Sequence, residues 1–246
     1  MKKKAIIIGN MDPNLGVQKD IDDTISFLKS KAGGAWNDNE IVVLKDSPSI
    51  LLKYQLQQYK SEKLDYVFLL FGGHGDMTSN ITNIYPSHKS NEALSEEIFN
   101  NLAPRQLSVL DCCRVPRKLI SNNIVELSES ASTEDFSVEL SIEKIRELYH
   151  NQILQAPEQH LKLYACDTGE AAIDNNGGLY TQELISNAIT ASKVGNRVNS
   201  AILIHNKTKV NVQEKSANKQ NPKTFGLPRL QDNLQLPLSI NPKKFF

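Results

Sequence analysis

Five short runs of apolar residues, each rich in β-branched or aromatic side chains, constrain the fold of this chain more than any other feature. Because their apolar character is nearly continuous, they are typical of strands that are buried on both faces, as in a parallel sheet. The runs cover residues 5–8, 41–44, 66–71, 107–110 and 161–165.

The segments between these runs have helical patterns. From Val17 to Leu28, apolar residues recur at spacings of three and four, and Gly33 and Gly34 follow as a helix end. Further helices are predicted over residues 50–59, 92–102 and 179–191. Because strands alternate with helices, we expect an α/β fold, namely a three-layer α/β/α sandwich around a mostly parallel six-stranded sheet.

Two segments interrupt this alternation. Residues 120–143 contain six acidic residues and neither lysine nor arginine, which predicts a long surface loop. Residues 207–223 contain five lysines against the single Glu214, which predicts a solvated surface. Their opposite charges would also allow the two segments to contact each other.

Charge and cysteine content exclude several classes of protein. The 28 basic residues balance the 28 acidic residues, so no overall field attracts the chain to nucleic acid or to an anionic membrane. The apolar stretch in residues 1–10 is too short for a signal peptide and is predicted as a strand. The three cysteines, Cys112, Cys113 and Cys166, fit neither a disulfide framework nor a zinc site. We therefore expect free thiols, a cytoplasmic location and no metal.

Reactive side chains follow two of the predicted strands. His74 comes after a buried strand and two glycines, and Cys113 comes after the strand that ends at Asp111. Ligands of parallel sheets bind at the carboxyl ends of the strands, so these two side chains can meet although they are far apart in sequence. A lone histidine or cysteine would more simply be structural, but both at strand ends indicate a catalytic pair.

The chemistry of a peptidase requires this pair of residues. A thiol is only a few per cent ionised at neutral pH, and a neighbouring histidine can take its proton and later protonate the leaving amine. The backbone N–H groups of Gly75 and Cys113 are candidates for an oxyanion hole.

Four segments, FLLFGGHGD, LDCCR, LYACDTGEAA and GGLYTQEL, together resemble the caspase-like cysteine peptidases, in particular bacterial caspase-like proteins and metacaspases. The resemblance implies a single domain over residues 1–246, with a large-subunit-like part (1–113), an intersubunit-like linker (114–160) and a small-subunit-like part (161–246). It also implies His74 as general base and acid, and Cys113 as nucleophile. Cys113 is preferred over Cys112 because it stands second after Asp111, as in the D-x-C pattern of the family. Arg114 and the residues after it replace the glycine-containing turn of the family, so the shape of this loop stays open.

The resemblance also bears on specificity. Metacaspase-like proteins place acidic residues in the pocket for the substrate residue before the cut, and Asp20 and Asp111 match those positions. Asp167 is a further candidate at the rim. Such a pocket would accept arginine or lysine, although Asp20 could be a plain helix-surface residue and Asp111 a structural hydrogen-bond acceptor.

The leading hypothesis is a cysteine endopeptidase that acts on protein substrates, in a bacterial defence or cell-death pathway by resemblance alone. Self-processing in the linker near Lys144 or Arg146, an activating partner, or activation by calcium is suggested only by the family, and no cofactor is expected from the sequence. The alternatives are a catalytically silent caspase-like interaction module and a flavodoxin-like or nucleotide-binding domain. The last is disfavoured because residues 9–16 match phosphate-binding loops poorly.

Overall fold

The computed structural model describes residues 1–116, 139–194, 196–226 and 230–243. Its helices and strands follow one another along the chain as β1 (Lys3–Gly9), α1 (Val17–Lys29), β2 (Ile41–Lys45), α2 (Ser49–Ser61), β3 (Tyr66–Gly72), β4 (Gly75–Thr78), β5 (Ile81–Ile84), β6 (Leu94–Ser95), β7 (Arg105–Asp111), α3 (Ile142–Gln155), β8 (Gln159–Tyr164), α4 (Leu179–Lys193), β9 (Val198–Ser200), α5 (Ala201–Lys215), β10 (Lys223–Phe225) and β11 (Pro237–Ile240).

The central sheet has six strands in the order β10-β8-β7-β3-β1-β2. All neighbouring strands run parallel except β10, which lies antiparallel to β8 at one edge. The predicted fold class, a three-layer sandwich around a mostly parallel six-stranded sheet, is therefore confirmed. Each of the five predicted apolar runs forms a strand of this sheet. The sixth strand, β10, has no comparable apolar run.

Successive side chains of the central strands contribute to two different cores, as the alternation of a strand requires. On one face, Ile7 and Phe68 pack with residues of α1, α3, α4 and α5. On the other face, Ile6 and Leu69 pack with α2 and with the small sheet β4-β5-β6. Because both faces of the sheet are covered, its strands are apolar throughout.

The predicted helix over residues 92–102 is wrong. Leu94 pairs with Ile84 in the small sheet, and only a short 3-10 turn, Glu96–Phe99, follows it. Asn101 has a positive φ of 59°, which ends any helical path before β7 begins. The apolar residues of this segment therefore reach the core from a strand and a turn.

Helices α3 and α5 were not predicted. Helix α3 lies inside the predicted linker and covers the end of the segment expected as a loop, yet Ile145, Tyr149 and Ile153 are fully buried. Helix α5 covers the first part of the lysine-rich segment and buries Ile204 and Val212. Charged residues on the exposed sides of both helices conceal their apolar faces in the sequence. Residues 120–138, which are most of the expected acidic loop, lie outside the described residues.

None of the described helices is long and apolar enough to cross a lipid bilayer.

Candidate active site

Three central strands end level with one another at one edge of the sheet. The registers place Gly9 of β1, Gly72 of β3 and Asp111 of β7 side by side. The residues that follow each strand therefore enter the same space above the sheet. His74 and Cys113 each stand two positions beyond their strand, and both line one small cavity.

This cavity, called the acidic pocket below, has a volume of about 40 Å³ and contains three aspartates. It is lined by Leu15, Val17, Asp20, Gly73, His74, Asp111, Cys113, Ala172, Ile173, Asp174 and Gly178. It therefore combines a thiol, an imidazole and three carboxyl groups in the space of a few water molecules.

Cys113 is the partly accessible one of the three free cysteines. Its Sγ lies 3.8 Å from the carbonyl oxygen of Ala172. Burial raises the pKa of the Cys113 thiol, and the nearby Asp111 and Asp174 raise it further. In this arrangement the thiol is protonated at neutral pH, so it needs a base before it can act as a nucleophile.

His74 lies next to a carboxylate that the sequence analysis did not assign to the site. Its Nε2 is 2.9 Å from Oδ2 of Asp12, and 43% of the imidazole is exposed. The hydrogen bond with His74 is the largest factor that lowers the pKa of Asp12, so Asp12 is a carboxylate at neutral pH. A signal was present in the sequence, because Asp12 follows the first strand at the same edge as His74 and Cys113.

Asp20 and Asp111 are both almost fully buried, with exposed fractions of 2% and 6%. Asp20 accepts hydrogen bonds from the N–H of Gly178 (2.8 Å) and from Nε2 of Gln182 (2.6 Å). Asp111 accepts from the N–H and the hydroxyl of Thr181, at 2.9 and 2.7 Å. Burial raises the pKa of both carboxyl groups. Proximity to Asp111 raises the pKa of Asp20 further.

The family of the chain follows from its sequence. A family model described as the caspase domain of peptidase family C14 matches residues 2–230. The chain belongs to the caspase-domain peptidases. It is therefore a cysteine-type peptidase, a hydrolase. A search of curated proteins gave no match.

The fold of this caspase domain is also that of a solved caspase. The crystal structure of caspase-1 from Spodoptera frugiperda is 12% identical and has a TM-score of 0.55. The match covers 91% of this chain and 85% of that chain. At this level of identity the similarity concerns the fold alone.

Gly75 of the caspase domain packs directly against the segment that contains Cys113. A Cβ at Gly75 would lie 2.6 Å from the carbonyl oxygen of Cys113 and 2.8 Å from Sγ of Cys112. Glycine is therefore required for this close approach of two strand ends. The backbone segments at Gly75 and Cys113, whose N–H groups are the candidates for the oxyanion hole, are thus in contact.

Cys112 and Cys166 are buried away from the acidic pocket. Cys112 belongs to the core on the face of α2, opposite to the side on which Cys113 lines the pocket. Burial raises the pKa of both thiols well above its usual range. Their surroundings are those of structural cysteines.

Asp174 is a third carboxyl group of the pocket that the sequence analysis missed. Its Oδ1 accepts hydrogen bonds from the N–H groups of Gly16 (2.9 Å) and Gly177 (3.2 Å). Asp174 therefore ties the loop after β8 to the start of α1. Among the described residues, no group of His, Cys, Asp and Glu has the arrangement of a metal site.

The structure does not bring Asp167 to the acidic pocket. Asp167 lines a different cavity, of about 440 Å³, and forms an ion pair of 2.9 Å with Lys223. This second cavity, called the mixed-charge cleft below, also contains Glu96, Arg114 and Lys162.

Proposed function

We propose that this caspase domain is an endopeptidase in which His74 and Cys113 form the catalytic dyad. The observation that supports it is the pocket that both side chains line together with buried acidic residues. The alternative candidates for the nucleophile, Cys112 and Cys166, are buried and face other surroundings. A thiol and an imidazole at one cavity are the groups that a cysteine peptidase needs.

The proposed reaction consists of two acyl transfers, first from the substrate amine to Sγ of Cys113 and then from Sγ to water. As Sγ of Cys113 forms a bond to the scissile carbonyl carbon, the thiol proton passes to His74. The C–N bond then breaks, and His74 gives this proton to the leaving amine. Water attacks the resulting thioester and gives a proton to His74, the S–C bond breaks, and the proton returns to Sγ. The N–H groups of Gly75 and Cys113 stabilise the oxyanion of both tetrahedral intermediates.

The proposed specificity is for arginine or lysine before the scissile bond. Asp20 and Asp111 offer two buried carboxyl groups, whose present partners are N–H and hydroxyl donors. Burial of an uncompensated negative charge is unfavourable, and a guanidinium in the pocket would relieve this cost with bidentate geometry. Asp174 lines the same pocket and is a further candidate partner of the cation. Asp167 stays outside this proposal because it is paired with Lys223.

Substrate entry requires movement of the loop after β8. The acidic pocket holds only about 40 Å³, which is too little for an arginine side chain. Ala172, Ile173 and Asp174 form one wall of the pocket, and the Ala172 carbonyl contacts Cys113. Displacement of this wall would enlarge the pocket and release the thiol at the same time.

Self-processing is part of the proposal, but the structure changes where it is expected. Lys144 and Arg146 lie in α3, and Arg146 forms an ion pair of 2.7 Å with Glu40. Cleavage there would require α3 to unwind. Arg117 and Lys118, at the other end of the linker, lie outside the described residues and become the expected sites. Intact masses of the wild type and of Cys113→Ala test this, since only the wild type should be cut.

The proposed biological setting is a bacterial defence or cell-death pathway in the cytoplasm. It is supported by the resemblance to bacterial caspase-like proteins and by three cysteines without disulfides. An activating partner would act by displacing the loop described above.

A peptide-library cleavage profile tests the activity and the specificity together. The wild type should cleave after arginine or lysine, and Cys113→Ala should be inactive. A peptide ketone with arginine at the reactive end should label Cys113 of the wild type. No cleavage and no labelling would instead support the silent interaction module. Preference for aspartate or an aliphatic residue would contradict the role of the acidic pocket.

A further inference from the structure

The contact between Asp12 and His74 adds a third residue to the dyad. We propose that Asp12 is the positioning residue of His74: it accepts a hydrogen bond from Nε2 and leaves Nδ1 as the nitrogen that takes the thiol proton of Cys113. The catalytic consequence rests on the proposed function, whereas the orientation of the imidazole does not.

The direction of this hydrogen bond follows from the chemistry of the two groups. A carboxylate can only accept, so the proton of the contact belongs to Nε2 of His74. A neutral imidazole with its proton on Nε2 has its lone pair on Nδ1. After proton transfer from the thiol, the same carboxylate lies beside an imidazolium and stabilises its charge. The hydrogen bond with His74 lowers the pKa of Asp12, which keeps Asp12 ionised.

Asp12 itself is held in place from two sides. Its Oδ1 accepts hydrogen bonds from the backbone N–H and the side-chain amide of Asn14, both at 2.9 Å. Its own N–H donates to Oδ1 of Asn10 at 3.1 Å. The loop after β1 therefore presents Oδ2 in a fixed direction.

Asn10 also links this loop to the segment that contains His74. Asn10 is 1% exposed, and its side-chain amide donates to the carbonyl of Tyr85 at 2.8 Å. The N–H of Tyr85 in turn donates to the carbonyl of His74 at 3.1 Å. The position of Asp12 relative to His74 is thus set by a continuous set of hydrogen bonds, which is the property expected of an orienting residue.

A second pair of aspartate and histidine provides a matched control. Oδ2 of Asp46 lies 2.7 Å from Nδ1 of His88, and Oδ1 of Asp46 accepts from the N–H of Met11. Asp46 therefore supports the same loop as Asp12 but contacts a histidine that does not line the acidic pocket. Asp46→Asn perturbs the loop without removing the carboxylate next to His74.

Long-range ¹H–¹⁵N spectra of the imidazole rings test the tautomer without any need for activity. At about pH 8, above the ordinary pKa of histidine, His74 of the wild type should be the Nε2–H tautomer. Asp12→Asn should give a mixture of both tautomers, because an asparagine can also donate to Nε2. Asp46→Asn should leave the His74 signals unchanged, and His74→Gln assigns them. An Nδ1–H tautomer in the wild type, or unchanged signals in Asp12→Asn, would overturn the inference.

Kinetics test the consequence for catalysis. In a buried triad the aspartate contributes about 10⁴-fold to kcat. Asp12 and His74 are partly exposed, so for Asp12→Asn we expect kcat to fall about 10- to 100-fold with KM nearly unchanged. Asn14→Ala, which keeps the carboxylate but removes one of its hydrogen bonds, should give a smaller loss. A loss in Asp46→Asn as large as that in Asp12→Asn would show that loop stability alone is responsible and would overturn the positioning role. An inactive wild type with the expected tautomer would contradict the proposed function but not the orientation of His74.

Discussion

Two clefts lie at the carboxyl edge of the sheet, one lined by Cys113 and the other by the next residue, Arg114. Their acidic side chains have different kinds of partners. In the mixed-charge cleft, Asp167 is 2.9 Å from Lys223, and Glu96 is 4.0 Å from Lys162. In the acidic pocket, Asp20, Asp111 and Asp174 accept hydrogen bonds from N–H and hydroxyl groups of other described residues.

This difference in partners bears on where a charged ligand is expected to bind. The Asp167–Lys223 pair is exposed and contributes little to stability, whereas Glu96 is buried with the cation of Lys162 beside it. Buried carboxyl groups without a countercharge are costly, and such groups at a cavity are candidates for a functional site. We therefore expect the basic side chain of the proposed substrate to bind in the acidic pocket rather than in the mixed-charge cleft.

The sharpest test of the comparison concerns the two adjacent cysteines. Cys113→Ala removes the nucleophile at the acidic pocket, and we expect activity to fall by about 10⁴-fold or more. Cys112→Ala changes only the opposite core, at a cost of about 1 kcal/mol in the free energy of unfolding, and should retain most activity. Peptide hydrolysis and denaturant unfolding of both variants measure this. Equal loss of activity in two folded variants would refute the assignment of the nucleophile.

The next largest effect is expected on specificity. Asp111→Asn or Asp20→Asn should lower kcat/KM for arginine substrates by about 10²-fold, because a buried cation loses one of its charged partners. Asp167→Asn should change kcat/KM by less than about fivefold, because its carboxylate pairs with Lys223 at the protein surface. If Asp167→Asn has the larger effect, the cation site lies in the mixed-charge cleft instead.

Substrate affinity should depend on pH. Burial raises the pKa of Asp20 and Asp111, so both ionise above the usual carboxyl range of about 4. A cation binds to the ionised form, and its affinity therefore increases as the pH rises. For Cys113→Ala, an arginine peptide should bind about tenfold more tightly at about pH 8 than at about pH 5, as measured by calorimetry.

The matched peptide with neutral citrulline in place of arginine should bind with little dependence on pH. Addition of Asp20→Asn should flatten the pH dependence of the arginine peptide. An equally steep dependence for citrulline would mean that titration elsewhere controls binding.

The smallest effects concern the free energy of unfolding. Its dependence on pH should have opposite signs for Asp20 in the acidic pocket and Asp167 in the mixed-charge cleft. For Asp20, the folded state holds its proton to higher pH than the unfolded state, so stability falls as the pH rises above about 4. Asp20→Asn should therefore gain about 1 kcal/mol relative to the wild type between about pH 5 and 8.

The contribution of Asp167 to stability changes with pH in the opposite direction. Burial by itself would raise its pKa, but the hydrogen bond from Lys223 lowers the pKa overall. Its contribution is therefore present above the unfolded pKa and is lost on acidification, by less than about 0.5 kcal/mol for this exposed pair. Urea unfolding decides the signs, measured between about pH 5 and 8 for Asp20→Asn and between about pH 2 and 5 for Asp167→Asn. A loss for Asp20→Asn at about pH 8 would contradict the unfavourable charge of the acidic pocket.

Local patterns in the sequence predicted the frame of this molecule. Five strands and helices α1, α2 and α4 were predicted because each contains an apolar run or an apolar face that is complete within one short segment. His74 and Cys113 could be placed at one edge for the same reason, since each follows such a strand. Helices α3 and α5 were missed because the charges of these segments favour a loop and a solvated surface, although Ile145, Tyr149 and Ile153 recur at a spacing of four.

The tertiary structure decided which polar residues belong to the site. Asp20 meets Gly178 across 158 positions, and Asp111 meets Thr181 across 70. Asp12 meets His74 across 62 positions, whereas Asp167 is drawn to Lys223 in the other cleft. The sequence alone determined five of the six strands of the central sheet and placed His74 and Cys113 at its carboxyl edge, since these depend on local apolar periodicity. The charge state and partner of each aspartate depend on burial, and burial is set by chain segments that meet only in the folded protein.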